Sequence, residues 1–179
     1  NYLINEDFRL SETLLKRGKL CKKLLMYKEA YTDFTHIINN FAKKKDAYIE
    51  RLYLNYETSN FYEAICDANE LLLTIDKNNF EFNKIKLLSQ IYSKQNEDAI
   101  QTADILFNER KYKILQFLFN EVAYTLSKDE YAKGLRLLDF IDIIDSNNPL
   151  KLLKEANIYA LSGNKEKHKE IQNQKIKKA

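Results

Sequence analysis

The chain has 179 residues, of which 45% are hydrophobic and 31% charged, with three Gly, one Pro and no Trp. That apolar content supports a continuous core, and so few breakers suit a nearly all-helical chain. The net charge of +3 excludes the broad basic field of a general nucleic-acid binder, the more so because residues 163–179 alone carry +4 and the remainder −1.

In chain order, residues 1–10 read as a lead-in. Leu14, Gly18, Cys21 and Leu25 then recur at helical spacing up to a break near Met26. A second amphipathic helix starts at Lys28 and places Ala30, Phe34, Ile37 and Ile38 on one face. The same pairing returns with Tyr48, Leu52 and Tyr56, then Ala64, Ala68, Leu71 and Leu72. A third pair carries Ile85, Leu88 and Ile91, then Ala99, Ala103, Leu106 and Phe107; a fourth carries Phe117, Val122 and Tyr124, then Gly134, Leu138 and Ile141. Polar connectors separate the pairs at 42–46, 76–79, 108–110 and 145–149, the last ending in Asn148-Pro149, an N-cap followed by a residue suited to the first helical turn. A fifth pair begins with a good helix from Leu150 to Leu161 and ends in a polar stretch around His168, as the end of an array facing water requires.

Each second helix opens on a short signature ending in a small residue: Tyr27-Lys28-Glu29-Ala30, Phe61-Tyr62-Glu63-Ala64, Asn96-Glu97-Asp98-Ala99 and Tyr131-Ala132-Lys133-Gly134, spaced by 34, 35 and 35 residues. This period marks a stack of helical hairpins, each burying its apolar face on its neighbours. The predicted organisation is all-α, in units 11–44, 45–79, 80–113, 114–148 and a capping or partial unit 149–179 with a basic tail. Small residues let paired helices approach, so Ala30, Ala64, Ala99 and Gly134 are expected at equivalent buried positions.

Chemistry finds little foothold. His36 and His168 have no Cys, Asp or Glu at metal-ligand spacing, and no phosphate loop or nucleophile motif occurs. The expectation is a protein that is not an enzyme and needs no cofactor. Asp139, Asp142 and Asp145 read as a solvated acidic face. Cys21 and Cys66 fall in different hairpins and are expected to be free thiols, both small buried apolar residues. No apolar run reaches membrane-spanning length and no signal-peptide pattern occurs, so a cytoplasmic protein without membrane insertion or nucleic-acid partner is expected.

The pattern resembles the tetratricopeptide repeat (TPR) family. With units counted from Ser11 and Lys45, the resemblance rests on Leu14, Gly18, Ala30 and Phe34, on Tyr48 and Ala64, on Asn147-Asn148-Pro149, and on Ala156, Tyr159 and Gly163. Arg17 and Leu52 depart from the family's Leu and Gly, and the third and fourth units each need a one-residue shift. The resemblance implies a right-handed superhelix whose first helices line a concave groove. It thereby implies a partner-binding set: Lys16, Lys19, Lys22 and Lys23 in the first unit, Glu50, Tyr53, Tyr56 and Glu57 in the second. In the third it implies Lys86, Ser89 and Tyr92, and in the fourth Leu118, Phe119, Val122 and Leu126. A basic entry, an aromatic middle and an apolar end would suit a protein or peptide segment with acidic and apolar portions. The family's clamp for the C-terminal carboxylate of heat-shock chaperones is not matched, since Leu15, Lys19 and Glu50 stand at three of its positions and Glu50 would repel a carboxylate. The implied function is a protein-interaction scaffold. The substrate-binding array of a DnaJ-type co-chaperone is a narrower alternative, and a helical-repeat RNA binder is disfavoured by the near-neutral core charge.

Overall fold

A computed structural model describes the backbone of residues 2–42 and 44–178, and the side chains of 9–42, 44–171 and Asn173. Among these residues there are ten α-helices and no strand, the all-α class that the repeat predicts. They are α1 (Tyr2–Lys23), α2 (Tyr27–Asn40), α3 (Lys45–Glu57), α4 (Phe61–Thr74), α5 (Phe80–Tyr92), α6 (Asn96–Phe107), α7 (Lys111–Ser127), α8 (Tyr131–Ile144), α9 (Pro149–Leu161) and α10 (Lys165–Lys178). They fall into two compact units, Asn1–Ser93 with α1–α5 and Lys94–Ala179 with α6–α10. Within each, every helix packs on the next in sequence, and in the first unit α1 also touches α3. The lead-in is thus not separate from the first repeat: the backbone from Tyr2 onward is already part of α1.

A single turn type is copied along the chain. The three-residue connectors inside the helix pairs each hold their middle residue in the left-handed region: Leu25 (φ 60°), Ser59 (61°), Lys94 (65°), Asp129 (58°) and Gly163 (76°). In four of them the residue after it donates its backbone N–H to the carbonyl five residues back: Met26 to Cys21, Asn60 to Asn55, Glu130 to Thr125 and Asn164 to Tyr159, at 2.7–2.9 Å. This is the Schellman closure, which satisfies carbonyls left open at a helix end. The next helix follows at once, and its fourth residue donates back to the last connector residue, as Ala30 does to Met26 at 3.1 Å and Ala64 to Asn60 at 3.0 Å. Asn148 caps α9 as its sequence position suggested, its side chain accepting from the Leu150 N–H at 3.1 Å, with Pro149 in the first turn.

The fourth helical residue is also the packing hinge. Ala30, Ala64, Ala99 and Gly134 are all buried, as expected. In α10 the equivalent residue is His168, whose Nδ1 lies 2.9 Å from the Ala156 carbonyl oxygen, so a polar side chain stands where the other pairs have Ala or Gly. Phe34 fills the hollow over Gly18, where a Cβ would lie 2.6 Å from the ring. Around these contacts the first unit buries Phe34, Ile37, Leu52, Leu54 and Leu71, and the second buries Leu118, Leu137, Leu138, Phe140 and Ile141.

Four sequence expectations are corrected here. Cys21 is buried but Cys66 is exposed, because Ala64, Ile65, Ala68, Leu71 and Leu72 take the inner face of α4 and leave Cys66 on the outer one with Tyr62 and Asn69. Leu25 is exposed because it forms the turn, and Tyr124 is exposed because α7 buries Ile114, Leu118, Val122 and Thr125 instead. Of the acidic row on α8 and its connector, Asp142 pairs with Lys151 at 2.9 Å, Asp145 with Lys111 at 3.1 Å and the more exposed Asp139 loosely with Arg136 at 4.0 Å, so each of the three faces a cation.

Candidate partner-binding face

The left-handed residue gives a register that needs no consensus. Seven residues before it stand Gly18, Leu52, Leu87, Val122 and Ala156, and all five are buried. Eight residues before it stand Arg17, Arg51, Lys86, Glu121 and Glu155. In the first unit Arg17 and Arg51 of this second row form an ion-pair ladder on two buried aspartates. Arg17 donates from Nε and Nη2 to the Asp33 carboxylate, and Arg51 does the same to Asp67 at 3.1 and 2.7 Å. Both aspartates are almost wholly buried. Arg51 also donates to Thr35 Oγ1 at 3.0 Å and lies 5.6 Å from the ring centres of Tyr31 and Tyr48, so one side chain ties α2, α3 and α4 together. Asn55 adds a third donor to Asp67 at 3.0 Å. Burial pushes the Asp67 carboxyl up, and the hydrogen bonds from Arg51 and Asn55 pull it back only in part.

The next face round these helices carries the residues implied by the resemblance. Lys19 Nζ of α1 lies 3.1 Å from Glu50 of α3; Lys22 lies 3.3 Å from Glu57, 3.9 Å from Glu50 and 5.6 Å from the centre of the Tyr53 ring. The basic strip and the acidic positions of the second unit therefore meet as one neutralised row instead of forming separate basic and aromatic zones. Lys16 and Lys23 are exposed and make no ion pair with a described residue. Beyond the row, Tyr56 of α3 stacks on Tyr92 of α5 with centroids 6.4 Å apart and 30° between planes, and Phe61 of α4 closes the group 5.2 Å from Tyr92. Tyr53 is half-buried, and that burial, with the negative charge of Glu81 and Glu50, raises its phenol above the ordinary range.

The remaining predicted residues go elsewhere. Lys86 is half-buried in the row of Arg17 and Arg51, and Ser89 is buried. Leu118 and Val122 are fully buried core residues and cannot form a groove wall; Phe119 and Leu126 are half-buried. The cause is register. The second-to-third and third-to-fourth steps are 35 residues, and a one-residue miscount turns a helical position by about 100°. Counted from Asp129, the positions of α7 equivalent to Lys16, Lys19 and Lys23 are Asn120, Ala123 and Ser127, all exposed and none of them large and apolar.

Among the described residues no group of three or more His, Cys, Asp or Glu is placed to hold a metal ion, and no helix is long and apolar enough to cross a membrane. The Arg–Asp ladder escaped the sequence reading, although its signal was there: an Arg and an Asp sixteen residues apart, repeated once after 34 residues. No family model, no curated protein and no solved structure matches this chain.

Proposed function

We propose that the chain is a TPR-like protein-interaction module that takes a segment of a partner protein across α1, α3 and α5 of its first unit. The observation that carries this reading is the face where the Lys19–Glu50 and Lys22–Glu57 pairs lie beside the stacked Tyr56 and Tyr92. Half-buried tyrosines offer rigid apolar area at small entropic cost together with a polar tip, the chemistry enriched at contact surfaces. A partner with an apolar or aromatic anchor would lie over the tyrosines, and acidic side chains in it would find Lys16 and Lys23. The paired lysines and glutamates contribute selectivity more than affinity, because a partner must replace the ion pair it displaces.

The test is affinity capture by the full chain followed by measured binding of the captured protein to variants. Tyr53→Ala with Tyr92→Ala should weaken binding about ten-fold or more, and Lys16→Ala with Lys23→Ala should flatten its salt dependence. A captured partner that binds the folded tyrosine variant as tightly as the native chain would refute the assignment.

A further inference from the structure

The five turns inside the helix pairs share one backbone and differ in chemistry. Four are polar: Thr58-Ser59-Asn60, Ser93-Lys94-Gln95, Lys128-Asp129-Glu130 and Ser162-Gly163-Asn164. The first is Leu24-Leu25-Met26, and its side chains are 60%, 70% and 43% exposed, with Leu20 and Tyr27 exposed beside them. Leu25 takes the left-handed conformation, which crowds the Cβ of an ordinary residue against the following carbonyl oxygen. Three contiguous apolar side chains in water at a strained turn gain nothing for the folded chain by itself. Strain and exposed apolar surface kept together are the mark of a contact made with something else.

The surroundings state the chemistry of that contact. Lys23 closes α1 and Lys28 opens α2 on either side of the turn, and both are exposed. Lys28 also stands between two clefts that flank the first turn of α2. One, of about 440 Å³, is walled by Tyr27, Tyr31, Leu54, Thr58 and Glu63; the other, of about 430 Å³, by Cys21, Met26, Glu29 and Thr32. We propose that the α1–α2 turn is a docking surface for an acidic peptide segment of a partner protein, whose apolar side chains pack on Leu24, Leu25 and Met26 and enter the flanking clefts. The lysines match acidic groups by charge, and the clefts match side chains by size. An anionic lipid surface has the charge but not the relief that fills the two clefts, whereas a peptide can place apolar side chains there and keep its acidic groups at Lys23 and Lys28. This surface is separate from the tyrosine face, since none of its residues except Lys23 belongs to both.

Displayed random peptides selected on the full chain provide the probe. The variant Leu24→Thr/Leu25→Ser/Met26→Asn copies the α3–α4 turn into the first hairpin and keeps a backbone that turn already adopts. Selected peptides should be rich in Asp and Glu alongside Leu or Phe, and their affinity should fall about ten-fold or more on this exchange and on Lys28→Glu. Tyr53→Ala with Tyr92→Ala should leave it unchanged, so failure here and failure of the tyrosine face are told apart. Should the triple exchange lower the melting temperature, Leu25→Gly with Lys28→Glu replaces it. Peptides without acidic enrichment, peptides whose affinity survives the exchange, or binding of the native turn to phosphatidylserine vesicles in place of peptide would each overturn the proposal.

Discussion

The Arg51 guanidinium and the Asp67 carboxylate face each other across α3 and α4 through two parallel hydrogen bonds, with 12% and 2% of their side-chain surface exposed. One repeat earlier Arg17 and Asp33 hold the same geometry, yet the Arg17 side chain is 63% exposed. The difference decides what breaking each pair costs. In Asp67→Ala the Arg51 charge stays in a poorly hydrated place without its partner, which costs about 3–5 kcal/mol. In Asp33→Ala the freed Arg17 swings into water, so the loss is smaller. Denaturant unfolding of the two variants should rank them in this order, and an equal loss would mean that exposure does not govern the ladder. Arg51→Met with Asp67→Leu should recover much of the loss, because an apolar pair leaves no buried charge.

The repeat itself was legible because small residues at helix contacts are a steric demand that the chain meets at nearly regular spacing. Ala30, Ala64, Ala99 and Gly134 are enough to find the hairpins, and all four are buried. The faces of individual helices were less legible. Val122 read as a groove residue because its unit was counted from residue 114, one position early, and a 35-residue step does not announce where its extra residue is absorbed. The turn at Asp129 would have given the register, but a left-handed conformation carried by Leu, Ser, Lys and Asp leaves no glycine to mark it. The face proposed for a partner was half legible: the sequence names Lys19, Lys22, Glu50 and Glu57, but that they pair with one another depends on how neighbouring hairpins pack, which periodicity does not encode.

The two helical glycines in close packing should respond differently to alanine. At Gly18 the new Cβ would lie 2.6 Å from Cε1 and 3.0 Å from Cζ of Phe34, a ring with no room to retreat since it is fully buried. Overpacking of this kind costs about 1–3 kcal/mol, more than the gain of roughly 1 kcal/mol in helix propensity. At Gly134 the nearest atoms are Thr125 Oγ1 at 3.0 Å and Ile158 Cδ1 at 3.1 Å, contacts that ask for a shift of only a few tenths of an ångström. Thermal unfolding should show Gly18→Ala clearly destabilised and Gly134→Ala close to the native chain. A stabilised Gly18→Ala would mean that Phe34 repacks freely.

Leu25 offers the reverse substitution. Its φ of 60° suits glycine, and Gly163 holds the equivalent turn at 76°. Leu25 is 70% exposed, so its side chain gives the fold little in return. Leu25→Gly should therefore raise stability by about 0.5–1 kcal/mol after the entropic cost of a more flexible unfolded chain is deducted. Asp129→Gly removes the same strain but also removes the carboxylate that accepts from the Tyr131 hydroxyl at 2.8 Å, so it should gain less. The pair separates backbone relief from side-chain loss, and an equal gain in both would show that the Tyr131 contact contributes nothing.

Glu155 occupies in α9 the position that Arg17 and Arg51 hold in α1 and α3, and at the place of their aspartates stands the buried Ile171. The ladder partner is gone. Burial raises the Glu155 carboxyl above its ordinary range, with Lys151 opposing the shift and Asp139 reinforcing it. The sign follows from proton binding: with the folded pKa above the unfolded one, the folded chain holds the proton more tightly, so folding is helped at acid pH. Stability is lost as pH rises from the unfolded pKa through the folded one, and it stays lower at neutral pH. Glu155→Gln removes the charge and keeps the shape. It should raise the melting temperature at neutral pH, and the advantage should shrink as the buffer is taken down into the range where the native carboxyl is protonated. Melting temperatures of both chains across that range provide the measurement. A gain in Glu155→Gln that does not change with pH would assign the effect to packing and not to the displaced titration.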